Sequence, residues 1–308
     1  MILCCGEALI DMIPAPTESG RTGFVPHTGG AVFNTAIALG RLGVQSGLLT
    51  GLSTDLFGQQ LANALKTSHV STSHVITSDR PTTLAFVCLK DGHASYSFFD
   101  ENSAGRMLTP NDMPSLPANV TALFFGGISV ACEPGADAYA ALLEQEGAAR
   151  AVMFDPNIRP GFVRNIERYR ARLGRMMARA DIVKVSDEDL NWIVPAPLSM
   201  KEKVEALLNA GPAIVILTRG NEGATGFLLD GTEVHVPAAT VEIRDTVGAG
   251  DTFNAGVLAK LFEMGRLRKS SLCALSPDDL QAAMSHGARV AAITVSRAGA
   301  NPPWAGDL

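Results

Sequence analysis

Short apolar runs alternate with longer stretches of helical periodicity along most of this chain. The runs Ile2–Cys5, Ser46–Thr50, Ala122–Phe125, Ala151–Phe154, Ile182–Val185 and Ala213–Leu217 have the length and composition of strands buried on both faces. Between and after them, Val32–Leu42, Gly58–Lys66, Ala136–Ala149, Ile166–Ala180, Lys201–Asn209, Asp251–Met264 and Pro277–Ile293 carry apolar residues at helical spacing. Strands separated by helices predict an α/β fold with a mostly parallel central sheet, because parallel neighbours need a crossover connection. No internal repeat or low-complexity linker interrupts the pattern.

Two segments break the alternation. Leu84–Lys90 and His93–Phe99 flank Asp91-Gly92, and Phe227–Leu229 and Glu233–Val236 flank Asp230-Gly231. An Asp-Gly pair between β-rich arms signals a hairpin, since both turn residues tolerate positive φ. The first hairpin falls between α/β units, with Tyr96, Phe98 and Phe99 on its second arm. Joined by the Ile10–Val25 stretch, it reads either as a small β lid or as a plain surface hairpin.

Composition narrows the class. The chain has 308 residues, is 46% hydrophobic and only 18% charged, and carries a net charge of −6. No basic run stands out, so a nucleic-acid partner is not expected. Its five cysteines, Cys4, Cys5, Cys88, Cys132 and Cys273, are an odd number without metal-ligand spacing, which predicts reduced thiols and a cytoplasmic protein. The N-terminus has no basic leader, and the longest apolar run, from Ala122 to Cys132, is too short to span a bilayer. His286 falls in a helical stretch without a ligand partner and reads as structural.

The chemistry gathers where predicted strands end. Ala151–Phe154 runs into Asp155-Pro156-Asn157-Ile158-Arg159, Ile182–Val185 into Ser186-Asp187-Glu188-Asp189, and Ile214–Leu217 into Thr218-Arg219-Gly220-Asn221. In open α/β sheets ligands bind at that edge. Near the N-terminus, Gly6-Glu7-Ala8-Leu9-Ile10-Asp11 leaves a strand and Gly29-Gly30-Ala31-Val32-Phe33-Asn34 opens a helix. Taken alone, the latter reads first as a turn and helix start, but its amide and close-approach glycines also suit a polyol.

The most informative stretch is Asp245-Thr246-Val247-Gly248-Ala249-Gly250-Asp251-Thr252. Bare amides at Gly248, Ala249 and Gly250 at a helix start can face an anion, aided by the helix dipole. Asp251, in the first turn beside a bound phosphate, is placed to take a proton from an attacking nucleophile. The dipole predicts a depressed pKa for Asp251. No Gly-Lys-Ser/Thr loop, Rossmann glycine fingerprint or protein-kinase signature is present.

These residues resemble the PfkB (ribokinase-like) family of carbohydrate kinases. The resemblance rests on Asp245–Asp251 followed by Ala255-Gly256-Val257-Leu258 and runs from Gly6–Asp11 to Ser296-Arg297-Ala298-Gly299-Ala300. The segments Gly6–Asp11, Asp155-Pro156-Asn157 with Arg159, and Lys184–Glu188 are most similar to the bacterial fructokinase branch. The resemblance implies a ribokinase-like three-layer α/β sandwich. Its main domain would be residues 1–12, 27–81 and 102–308, and its small β lid residues 13–26 and 82–101. It implies an ATP-dependent sugar kinase acting on a primary hydroxyl, with fructose as the favoured acceptor. The alternatives are 2-keto-3-deoxygluconate or another ketose or sugar acid, then a nucleoside, or a non-catalytic sugar sensor.

The implied roles are as follows. Asp251 is the general base, and Gly248, Ala249 and Gly250 form the anion hole. Asp11, Gly29, Gly30, Asn34 and Arg159 hold the sugar. Lys184, Ser186, Thr218, Arg219, Gly220 and Gly223 line the ATP site. Asp245, Val247, Thr294, Arg297 and Gly299 form a monovalent-cation site for K⁺, with Mg²⁺ carried alongside ATP. The implied partners are sugar and MgATP, with no nucleic acid or membrane, and a homodimer through the lid. Six positions depart from the family pattern: Val32-Phe33 stand for Pro-Ala, Ser53 for Gly, Ser186-x-x-Asp189 for Asn-x-x-Glu, and Ala288 for an adenine-contacting His. Ala31 in place of Lys argues against ribose.

Overall fold

The computed structural model describes residues 1–90 and 93–308, so the Asp91-Gly92 turn and the side chain of Tyr96 lie outside the described residues. Among the described residues, an eight-stranded sheet runs in the order Glu233–Val236, Ala224–Leu228, Ile214–Thr218, Ile182–Ser186, Ala151–Asp155, Ala122–Gly126, Ile2–Cys5, Ser46–Leu49. The last six strands are mutually parallel, and the first two join antiparallel at one edge. The architecture is α/β with a mostly parallel central sheet, as expected, and the predicted strands and helices fall within two residues of their expected ends, apart from the helix Gly135–Glu146, which stops three residues short, and the strand Ala224–Leu228, which starts three residues early.

Alternation along the strands divides the core into two layers. Ile2 and Cys4 face one layer with the helices Ala31–Arg41, Ala249–Glu263 and Pro277–Val295. Leu3 and Cys5 face the other, with Gly135–Glu146, Ile166–Arg179 and Met200–Leu208. The close approach of Ala249–Glu263 to Pro277–Val295 depends on a glycine pair: a Cβ on Gly256 would lie 2.6 Å from the Cα of Gly287. This contact fixes the helix whose start carries the Gly248–Asp251 turn.

A second, four-stranded sheet pairs Thr22–Gly29, Leu9–Pro16, Leu84–Lys90 and His93–Phe99 in that order. The turn pattern exposed the hairpin arms. The two earlier strands were harder to read, because Pro14, Pro16 and Pro26 weaken the strand signal. The helix Asp187–Ile193 also escaped the sequence reading; at seven residues it is too short for a clear period and is set by a cap at Ser186.

Candidate active site

A cavity of about 770 Å³ opens between the second sheet and the C-terminal ends of the parallel strands. It draws Glu7 from the end of the first strand, Gly127 from after Ala122–Gly126, Asp155 from the end of its strand, and Lys184 from the next. The Gly248–Asp251 turn completes its floor. This is the ligand-binding edge of an open α/β sheet.

The helix Ala249–Glu263 begins at Gly248, which is left-handed at φ 79° and supplies no side-chain cap. Its first closed helical bond is Thr252 N–H to the Gly248 carbonyl, at 2.9 Å. Ala249 N–H reaches Thr246 O at 3.3 Å, whereas the amides of Gly248, Gly250 and Asp251 meet no protein acceptor among the described residues. The unpaired donors of this helix start therefore border the cavity, with the positive end of the helix dipole behind them. Gly248 also abuts Ala300: a Cβ built on it would lie 2.7 Å from the Ala300 Cβ. Gly248→Val is expected to destabilise the fold by roughly 1–3 kcal/mol through positive-φ strain, measured by urea unfolding.

Asp251 is 9% exposed and accepts a hydrogen bond from Asn34 Nδ2 at 2.9 Å on Oδ2. Thr35 Oγ1 donates to the Asp251 carbonyl, so the helix Ala31–Arg41 grips this residue twice. The expected depression of the Asp251 pKa is corrected by the structure. Burial raises it most, the hydrogen bond from Asn34 and the charge of Lys184 only partly oppose this, Asp155 and Glu7 add to the rise, and together they bring it to about 7. At this depth the loss of hydration outweighs the dipole.

Lys184 Nζ pairs with Asp155 Oδ2 at 3.0 Å, and both side chains are buried. Asn254 Nδ2 donates to the same oxygen at 2.7 Å, while Asn254 Oδ1 has no partner. The ammonium lies directly behind the turn: a Cβ on Gly250 would sit 3.2 Å from it. Lys184 is thus a fixed positive charge behind the exposed amides. Asp155 and Asn254, which hold it there, were not singled out as site residues from sequence. Their signal was available in the Asp-Pro-Asn segment and in one helical turn after Asp251.

Of the sugar-binding candidates, Asp11, Gly30 and Arg159 line the cavity, and Asn34 stands behind Asp251. Gly29 backs Asp11, since a Cβ there would fall 2.2 Å from Asp11 Oδ2. Burial raises the Asp11 carboxyl to about 6. Glu7 also lines the cavity and escaped the sequence reading. Its carboxylate accepts from Ala31 N at 3.0 Å and Ser129 N at 3.2 Å, clamping a second helix start to the loop after Gly127. Arg106 and Arg164 lie at the cavity but pair with Asp100 and Glu101. Arg159 forms no ion pair among the described residues; its Nη1 donates to Ile158 O.

Apart from Lys184, the nucleotide-site candidates lie outside this cavity. Ser186 caps the helix Asp187–Ile193, and Asp189 returns the bond and also accepts from Ile158 N at 2.9 Å. Ser186 pairs in register with Thr218, so the two strand ends form an adjoining shelf. Arg219 pairs with Glu222. Gly220 and Gly223 are both left-handed, and Gly223 lies against the Val236 carbonyl, which a Cβ would approach to 2.2 Å.

The cation candidates bring two loops together. Asp245 Oδ1 accepts from Val247 N at 3.0 Å and Oδ2 from Gly299 N at 2.9 Å. A carboxylate is a hard oxygen donor, and with loop carbonyls beside it Asp245 has the chemistry to hold a monovalent cation. Thr294 Oγ1 bonds Val290 O, and the Arg297 side chain pairs with Asp307, which leaves only their carbonyls for such a role. Among the described residues, no three His, Cys, Asp or Glu side chains gather as a metal cage, and no helix is long and apolar enough to cross a membrane.

Residues 1–305 match the pfkB family of carbohydrate kinases. The chain belongs to that family. It is 47% identical over 285 residues to the fructokinase of Rhizobium leguminosarum bv. trifolii, covering 91% of this chain and 86% of that protein. Its fold is similar to the Xylella fastidiosa fructokinase crystallised with bound ATP, with a TM-score of 0.89 and 27% identity over 97% of this chain and 93% of that one. A double mutant of the Vibrio cholerae O395 fructokinase, crystallised with fructose, ADP and potassium ion, gives a TM-score of 0.85 and 25% identity over 97% and 93% of the two chains. The protein is accordingly a sugar kinase of the pfkB family.

Proposed function

We propose that this sugar kinase phosphorylates the primary hydroxyl of fructose, with MgATP as donor. One observation carries the catalytic reading: the buried Asp251 carboxylate sits beside helix-start amides that have no protein acceptor, at the floor of the cavity. Those amides and Lys184 would bind and stabilise the transferring γ-phosphoryl group, while Asp251 takes the proton of the attacking hydroxyl. In a loose transition state that proton leaves late, so Asn34 contributes by aiming the carboxylate. Mg²⁺ would be carried mainly by the ATP phosphates, since it keeps several of its waters and takes few protein ligands. The shelf of Ser186, Thr218, Gly220 and Gly223 would take the nucleotide beyond its phosphates. A potassium ion held by Asp245 and neighbouring carbonyls would firm the loop before the anion hole.

The acceptor end favours a neutral polyol over a sugar acid. Asp11 presents a carboxylate there, and the charges of Arg106 and Arg164 are matched by Asp100 and Glu101, so Arg159, whose Nη1 is turned onto the Ile158 carbonyl, is the one lining arginine without a carboxylate partner among the described residues. The similarity to fructokinases favours fructose among neutral sugars. The second sheet would act as the lid: Phe98 meets Phe162 edge-on with ring centroids 4.2 Å apart across the mouth. Closing it would exclude water from the phosphoryl group. The sheet also carries the stack Phe24–Phe86–Phe99, with Phe24 42% and Phe99 59% exposed, an apolar surface suited to a second copy of the chain. Free cysteines fit a cytoplasmic setting. ADP release with fructose should exceed that with 2-keto-3-deoxygluconate, ribose or nucleosides by at least about tenfold in kcat/KM, and should rise with K⁺. A preference for the sugar acid would overturn the acceptor assignment.

A further inference from the structure

We infer that Arg41 is a positioning residue, pinning a C-terminal strap that holds the Gly248 turn in place. The inference rests on the reading of Gly248–Asp251 as the phosphate site. After the helix Pro277–Val295 the chain passes beside that turn and then runs to the far end of the helix Ala31–Arg41. At the near end, Gly299 N donates to Asp245 Oδ2 and Ala300 packs on Gly248. The next two residues fasten the strap. Arg41 Nη1 donates to Asn301 Oδ1 at 2.7 Å and to Pro302 O at 2.9 Å, and the guanidinium lies 5.3 Å from the Trp304 ring centre. Arg41 Nε also donates to Ser68 Oγ at 3.2 Å, which anchors it to the end of the helix Leu56–Thr67. Arg297 reinforces the strap through Pro302 O and Asp307.

The helix that ends in Arg41 is the one that begins at the site. Asn34 and Thr35, two turns earlier or about 10 Å away, hold the Asp251 side chain and carbonyl. The turn is therefore gripped from both sides by parts that Arg41 ties together: the helix through Asn34 and Thr35, and the strap through Ala300. Releasing Arg41 frees Ala300 to move off Gly248 while Asp251 stays held. The amides then lose their aim at the phosphoryl group, and Asp245 loses its bond to Gly299.

The test is steady-state kinetics of Arg41→Met, Arg41→Lys and Asn301→Ala, with Asp251→Asn measured alongside and folding checked by circular dichroism. Arg41→Met should lower kcat about tenfold with the sugar KM within about twofold, and should raise the K⁺ concentration needed for half-activation. Arg41→Lys should recover part of kcat. Asn301 is exposed, so its truncation removes one fastening without threatening the fold, and a smaller fall in kcat is expected. Unchanged kcat in both Arg41→Met and Asn301→Ala, or equal changes in kcat and sugar KM, would overturn the strap. If Arg41→Met does not fold, the Asn301→Ala result decides alone. Normal turnover by Asp251→Asn would instead overturn the site assignment, and the strap with it.

Discussion

Asp251→Asn is expected to lower turnover by roughly 10²–10⁴-fold while leaving the fold intact. The amide keeps the size and the acceptor oxygen that Asn34 Nδ2 contacts, but cannot take the acceptor's proton. The stability consequence runs in the opposite direction. The Asp251 carboxyl is raised to about 7 by burial, so between the ordinary carboxylate range and neutrality the folded protein binds a proton that the unfolded chain has released. Stability of the unliganded enzyme therefore declines as pH rises through that window, because the folded state must hold a buried charge. The Asn variant carries no such charge. Its thermal midpoint should equal or exceed that of the parent at pH 8, and the difference should shrink towards pH 4.

The same shift sets the pH profile. A protonated Asp251 cannot accept a proton, so kcat/KM for the sugar should fall about tenfold per unit as pH drops below about 7. A profile flat down to pH 5, or a variant as active as the parent, would remove Asp251 from the role of base. A variant both inactive and less stable at pH 8 would show instead that the carboxylate is needed for the fold.

How much of this was legible in the sequence depends on how local each feature is. The parallel strands announce themselves because Val, Ile, Leu and Phe fill both faces, and the anion turn because glycine at 248 is required by a left-handed backbone. The charge state of Asp251 was not legible. The dipole acts through neighbours in sequence, but the burial that overrides it depends on how distant parts of the chain pack around the carboxyl, and the charges of Asp155 and Glu7, also far away along the chain, add to the rise. Asp189 illustrates the same gap. In sequence it stood only as a departure from the family's Asn-x-x-Glu pattern, and nothing local showed that the fold turns its carboxylate onto the amides of Ser186 and Ile158. The two proline-bearing strands of the second sheet were obscured because their pairing, not their propensity, makes them strands.

Lys184→Met should be the second most damaging change, and it separates charge at the site from stability of the core. Removing the ammonium deletes the positive charge behind the Gly250 amide, and comparable losses of a single preorganised donor cost roughly 10²–10³-fold in kcat. Among the described residues it also leaves the buried Asp155 carboxylate with only Asn254 and the Asn157 amide as donors, where breaking a buried pair costs about 3–5 kcal/mol. Low activity in the single variant could then be simple unfolding. The double variant Lys184→Met with Asp155→Asn removes the stranded charge along with its partner. Its urea midpoint should return most of the way to that of the parent, whereas its kcat should stay depressed, because neither change restores a cation to the phosphoryl site. If the double variant regains both stability and turnover, Lys184 serves only to neutralise Asp155, and the amides of the turn must stabilise the transferring phosphoryl group without it.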